Sequence, residues 1–208
     1  MTLRTATFRG VILFKKIAVL IDGGHLRAAA YRTKIKFDIN VIEKVAHDCR
    51  RLDEDLFRIL YYDCPAYTGE ARLPISGRIQ KFNNSNEWLD QLASKDYFAT
   101  RLGVLKFRGF KPKKQFPPNK TLTDDDFVPD FEQKGVDMKI GPDIAAFCTT
   151  KSVDRIVLVT NDTDCIPAMK YGRRAGLQIM LSSLPGQRPA PELLHHADGY
   201  RRMTAWPD

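Results

Sequence analysis

Cysteine is scarce in this chain and poorly placed for chemistry. Cys49, Cys64, Cys148 and Cys165 are widely separated and form no C-x-x-C pair. That spacing argues against zinc ligation, and the apolar context of each reads as a reduced core thiol, which fits a cytoplasmic protein. Long apolar runs are also missing. None approaches the roughly 18–20 residues a membrane-spanning helix needs, so no membrane partner is expected. The V-I-L-F patch at 11–14 is too short for a signal-peptide core, and residues 1–14 read as an N-terminal arm: a frayed end, an added edge strand or an upstream start. Neither G-x-x-x-x-G-K-[ST] nor G-x-G-x-x-G occurs, which leaves nucleotide-cofactor binding without support. G-x-S-x-G is absent too, and the cysteines have no nearby histidine pattern, so nucleophilic catalysis finds little support. Acidic residues are the minority, 25 against 33 Lys and Arg, for a net charge of +8 and a pI near 9.3. An excess of that size favours a polyanionic partner.

What is present is an α/β pattern. Five apolar stretches read as strands: 16–22, 56–62, 102–107, 155–161 and 177–182. Between them, residues 38–52 carry a helical stripe opened by Asp38, and residues 85–100 another, with Ser85 as its cap. Residues 164–175 read as a helix closed by Gly176, and a last helix spans about 190–203. Strands alternating with helices imply a parallel sheet with right-handed crossovers. Residues 15–208 are expected to form a single domain containing one long irregular loop at 108–135, which has four prolines, begins basic and turns acidic.

Two strands end on acids. The run R-I-V-L-V-T-N stops at Asp162, with Asp164 following as a cap for the next helix, and K-I-A-V-L-I stops at Asp22. Ligands of open parallel sheets bind outside the carboxyl ends of the strands. Carboxylates released there by two central strands make a place for a divalent cation. Asp137 supplies a third acid near the start of a helix. Asp143, six residues on, is rotated by about 600° and lies on another face, so it is excluded from the cluster. Pro142 requires that helix to begin near Asp137 or later.

Five motifs occur in order: I-D-G-G-H at 21–25, Y-Y-D-C-P at 61–65, K-G-V-D-M-K at 134–139, T-N-D-T-D-C-I-P at 160–167 and L-L-H-H-A-D-G-Y at 193–200. In these the chain resembles the NYN domain family, also called LabA-like or DUF88, a branch of the PIN-like nucleases. The resemblance implies a Rossmann-like three-layer α/β/α sandwich with a mostly parallel five-stranded sheet of order 3-2-1-4-5. It further implies a metal-dependent endoribonuclease whose catalytic and metal-binding residues are Asp22, Asp137, Asp162 and Asp164. Mg²⁺ or Mn²⁺ would be the ion, since both are hard cations that prefer oxygen ligands and serve phosphodiester chemistry. His25 stands where the family commonly has Asn, and Asn161 where Gly is frequent before the D-x-D. His25, Lys134, Thr160, Asn161 and Thr163 are the candidate substrate contacts.

A wider groove for single-stranded RNA is expected from Arg72, Arg78, Lys81, Arg108, Lys111, Lys113 and Lys114, with Tyr67, Phe82, Phe107, Phe110 and Phe116 available to stack bases. The rival reading is a non-catalytic RNA-binding or regulatory module with a vestigial metal site. The sequence also leaves a homodimer open.

Overall fold

In the computed structural model, residues 14–113 and 120–206 are described, apart from the side chain of Asp137. The chain enters through Lys15–Asp22 (β1), in which Ile17 to Ile21 are all fully buried. Gly23–Arg32 (α1) and Ile39–Asp48 (α2) follow, the latter opened by Asp38, whose carboxylate accepts from the Val41 N–H at 3.1 Å. Next come Glu54–Asp63 (β2), a small hairpin of Thr68–Arg72 (β3) and Ile79–Asn83 (β4), then Glu87–Ala93 (α3) and Phe98–Leu102 (β5). Val104–Pro112 (β6) and Phe127–Lys134 (β7) form a second hairpin. The chain then runs through Asp137–Thr150 (α4), Arg155–Val159 (β8), Ile166–Arg174 (α5), Gln178–Ser183 (β9), Pro191–His195 (α6) and Gly199–Arg202 (β10).

The central sheet has the order β5-β2-β1-β8-β9-β10, and every pairing in it is parallel. Its first five strands keep the expected 3-2-1-4-5 order, and β10 adds a sixth. Period-2 alternation splits the apolar runs between two layers. Ile17, Val19 and Ile21 face a core shared with Leu26, Ile42, Val45 and Leu92 from α1, α2 and α3. Ala18 and Leu20 face the opposite core with Ile140, Ile144 and Met169 from α4 and α5. Each fully buried Ile or Leu contributes about 1.5–3 kcal/mol. Helices therefore cover both faces in an α/β/α sandwich. All four cysteines are thiols, three of them buried, and burial pushes Cys49 up to about 12, so it is inert at neutral pH.

Several expected boundaries move. The third strand is not 102–107 but Phe98–Leu102, because the chain turns at Gly103. There the Gly103 N–H donates to the Asp63 carbonyl at 2.8 Å, and a Cβ would lie 2.5 Å from the Lys134 carbonyl oxygen. The helix expected at 85–100 is limited to Glu87–Ala93; Asn86 rather than Ser85 stands at its start and accepts from the Ala66 N–H at 2.6 Å. The helix expected at 190–203 stops at His195. Beyond it, Asp198 accepts from the Ile179 N–H at 2.8 Å and from Arg173 Nε at 2.7 Å, which holds residues 199–202 against β9 as a strand.

The loop expected to be irregular at 108–135 is largely an antiparallel ribbon. Among its described residues the basic start runs along β6, the acidic Asp124–Asp126 make a 3-10 turn, and the two strands are tied by Arg108 to Glu132 at 3.1 Å and Lys111 to Asp130 at 2.6 Å. The stacking aromatics are spent on one another. Tyr67, Phe82, Phe107 and Phe131 pack with ring centroids 5.5–5.8 Å apart, joining the two hairpins. Lys114 and Phe116 lie outside the described residues, as does the N-terminal arm up to residue 13.

Candidate functional site

Asp22 and Thr160 stand at the carboxyl ends of the two central strands. The register Ile21↔Val159 puts the next residue of each strand, Asp22 and Thr160, side by side. Asp22 is the N-cap of α1: its Oδ1 accepts from the His25 N–H at 3.0 Å, and its Oδ2 accepts from the Thr160 hydroxyl at 3.0 Å. Thr160 is buried, and its Oγ1 also accepts from the Asp162 N–H at 3.1 Å. Asp162 in turn caps the short 3-10 turn Thr163–Cys165, with Oδ1 accepting from the Asp164 N–H at 2.9 Å. Asp164, expected to cap the next helix, does not do so: Asp162 caps the 3-10 turn, and α5 itself begins only after Cys165. One hydrogen-bonded run joins Asp22, Thr160, Asp162 and Asp164 across the seam between β1 and β8.

Other candidates fall differently. Thr163 and Asp164 are exposed beside this run. Asn161 Oδ1 accepts from the Ala190 N–H at 2.7 Å, so the amide tethers the segment leading into α6. Asp137 is the first residue of α4, and its side chain lies outside the described residues. Asp143 is occupied elsewhere, accepting from the Tyr62 hydroxyl at 2.8 Å and from Arg101 Nε at 2.9 Å. His25 is half-buried. Burial lowers its pKa; the nearby Asp22 charge works against this and Arg32 with it, so the imidazole is neutral at pH 7.

Lys134 ends β7, with its ammonium 3.7 Å from Glu132. Neighbouring strand residues point to opposite faces, and it is Gln133 that turns toward the acids. A Cβ placed on Gly24 would lie 3.1 Å from Gln133 Oε1 and 3.3 Å from Asp22 Oδ1. Gln133 therefore joins the site as a side-chain amide laid across the start of α1. No sequence motif marked it, although counting one residue back from Lys134 along a strand reaches it.

Asp63, at the end of β2, is the site's buried neighbour. Its carboxylate accepts from Arg27, from the Tyr61 hydroxyl at 3.0 Å and from the Cys64 N–H at 2.7 Å. Burial raises its pKa, and Arg27 opposes that shift most strongly. This packing explains the glycine after Asp22. A Cβ on Gly23 would stand 2.5 Å from Tyr61 Oη and 2.7 Å from Asp63 Oδ2, both immovable in the core. Gly23→Ala is expected to cost about 1–3 kcal/mol through overpacking, read as a lowered urea midpoint; an unchanged midpoint would mean that α1 can shift freely away from β2.

The donors at this edge are carboxylate and hydroxyl oxygens, the set that suits Mg²⁺ or Mn²⁺. Among the described residues, no three His, Cys, Asp or Glu side chains come together closely enough to hold a metal ion. A cation between Asp22 and Asp162 would thus keep several waters, as Mg²⁺ does where one or two carboxylates and a substrate phosphate complete its shell. The fit lies in the chemistry of the donors, Asp22, Asp162 and the Thr160 hydroxyl, rather than in a three-ligand cluster among the described residues. Among the described residues, no helix is long and apolar enough to cross a membrane.

Comparison with known proteins agrees with this architecture. The family model described as the NYN domain matches residues 16–204. A search of curated proteins returned no match. Among solved structures, the crystal structure of a protein of unknown function from Vibrio parahaemolyticus RIMD 2210633 superposes with a TM-score of 0.52 at 16% identity, covering 92% of this chain and 94% of the other. At that identity the likeness concerns the fold.

Proposed function

This chain belongs to the NYN domain family, whose members are PIN-like and typically nucleases, and from that premise we propose that it is a metal-dependent endoribonuclease acting on single-stranded regions of RNA. The observation that carries the proposal is the shared Thr160 hydroxyl, which donates to Asp22 and accepts from the Asp162 backbone and so binds the ends of two parallel strands into one oxygen-rich edge. Asp22 and Asp162 would hold the cation, with Asp137 and Asp164 as the further acids of the cluster. A bound Mg²⁺ or Mn²⁺ would supply an activated water and neutralise charge developing on the scissile phosphate.

The protein's own groups have separate tasks. Thr160 holds the Asp22 carboxylate in place through its hydrogen bond to Oδ2. His25, neutral at pH 7, can donate one hydrogen bond to a phosphate oxygen without repelling a cation. Gln133 can donate its amide N–H to the same strand of substrate. The basic excess of the chain draws the polyanion in.

Purified protein is expected to cleave single-stranded RNA with added Mn²⁺ and to stop when a chelator is added. Thr160→Val should keep the fold but lower cleavage about 10–100-fold, the usual loss when a partner orienting a metal ligand is removed. Full activity in that variant would remove Thr160 from the site. A second reading has its own support, because Asp22 and Asp162 already act as helix and turn caps. A non-catalytic RNA-binding module would bind RNA in a salt-sensitive way and leave it uncleaved whichever divalent metal is added.

A further inference from the structure

Beside the acidic edge lies a cavity of about 610 Å³ that the phosphodiester chemistry does not use. It opens between α1, α2 and α3, on the face of the sheet that carries Tyr61. Its volume is within the range of small-molecule sites. Phe37 and Trp88 form its apolar walls, edge to face with centroids 6.4 Å apart. Trp88 is braced from behind by Tyr61, again edge to face at 6.2 Å. The Arg27 guanidinium lies over the Phe37 ring at 5.3 Å and is anchored by the buried Asp63 carboxylate. Exposed amides of Asn40 and Gln91 stand at the rim.

We propose that this cavity is a nucleobase subsite that receives the unpaired base next to the phosphate held at Asp22, with adenine preferred. The inference rests on the nuclease reading above for the position of that phosphate. Three features carry it. Arg27 is five residues beyond Asp22 on the same helix, about 7–8 Å along its axis, so the pocket wall and the acidic edge are parts of one rigid element. The walls offer aromatic surface suited to a flat ring, and base–aromatic contact is the general means of holding unpaired nucleotides. The rim amides each present a donor and an acceptor, which match the N6 and N7 edge of adenine. The two basic side chains of the lining are both engaged, Arg27 by Asp63 and Lys95 by Glu43 at 2.9 Å, so the partners that guanine O6 and N7 would take are already committed.

The test uses the two tryptophans of the chain, Trp88 and Trp206. In a Trp206→Phe protein, fluorescence reports Trp88 alone. Titration with AMP, GMP, CMP and UMP without divalent metal should quench it saturably, AMP binding tightest. Asn40→Ala combined with Gln91→Ala alters only exposed positions and should weaken AMP about fivefold to a hundredfold, with the thermal melt unchanged. Mapped cleavage ends on a mixed-sequence RNA should show a base preference that the double variant loses. Quenching by AMP that the rim variant weakens supports the subsite even if no RNA is cut, which would count against the nuclease reading alone. Cleavage without saturable quenching by any of the four, or quenching indifferent to the rim variant, overturns the subsite and leaves the nuclease reading standing.

Discussion

Asp22→Asn is expected to lower RNA cleavage at least about 10²–10³-fold while leaving the protein folded. The loss follows from removing one of the carboxylates that would hold the cation, whose charge stabilisation amounts to several kcal/mol of the barrier. Stability should change by less than about 1 kcal/mol, because Asn caps a helix as well as Asp does. The side-chain carbonyl can still accept from the His25 N–H, now 3.0 Å from Asp22 Oδ1, and the new amide stays beside Thr160. The substitution therefore separates charge from architecture. Cleavage rates in Mn²⁺ and urea unfolding of the same preparations check both halves. Equal cleavage by the two proteins would mean that Asp22 serves only as a cap and that the recovered activity comes from elsewhere.

The largest effect on stability is expected at the opposite edge of the sheet. Glu54 opens β2 with its side chain wholly buried, accepting from Arg155 on β8, from Arg201 on β10 and from the Arg51 N–H at 2.8 Å. Arg201 is itself 7% exposed, and its Nε is already buried without a partner among the described residues. Glu54→Ala would leave two guanidinium groups facing one another with no anion between them. Breaking a buried ion pair from one side costs about 3–5 kcal/mol, a large share of the whole stability of a domain. The same network has a pH dependence. Burial works to raise the Glu54 pKa, but Arg201, the Arg51 N–H and Arg155 outweigh it, and the folded value is lowered from 4.5. The unfolded chain thus binds the proton more readily. The contribution is fully present above the unfolded pKa and is lost as pH falls through the folded one. Urea midpoints measured from pH 7 down to pH 3 should fall more steeply for the natural protein than for Glu54→Gln, and parallel curves would show that Glu54 does not govern the acid limb.

The edge that carries the candidate site could be read in the linear sequence because of how buried parallel strands are written. Ile156–Val159 and Ile17–Ile21 are continuous apolar runs, and a run covered on both faces has to stop where the sheet meets solvent, so an acid at its end marks the carboxyl edge. Residues bound to the site from the hairpin were not readable in this way. Gln133 reaches Gly24 only because β7 pairs with β6, and that pairing is encoded in opposite charges spread over two strands rather than in an apolar period. The third strand slipped for a related reason: Leu102 to Phe107 looks continuous, yet Gly103 makes a close approach to Lys134 that no local pattern announces. The last strand was hidden by its neighbour. L-L-H-H-A reads as helix, and the helix ends early because Asp198 bonds to β9, a contact between distant parts of the chain.

The Asp22–Thr160 hydrogen bond joins residues 138 positions apart in sequence. On a translating ribosome, synthesis at about 5–20 residues per second separates the appearance of the two by roughly 7 to 28 s. During that interval Asp22 has left the peptidyl-transferase centre with no partner across the seam, and the proposed cleavage edge cannot assemble. If the proposed ribonuclease activity is present, it would thus be harmless to the message that encodes the chain until most of its length has been made.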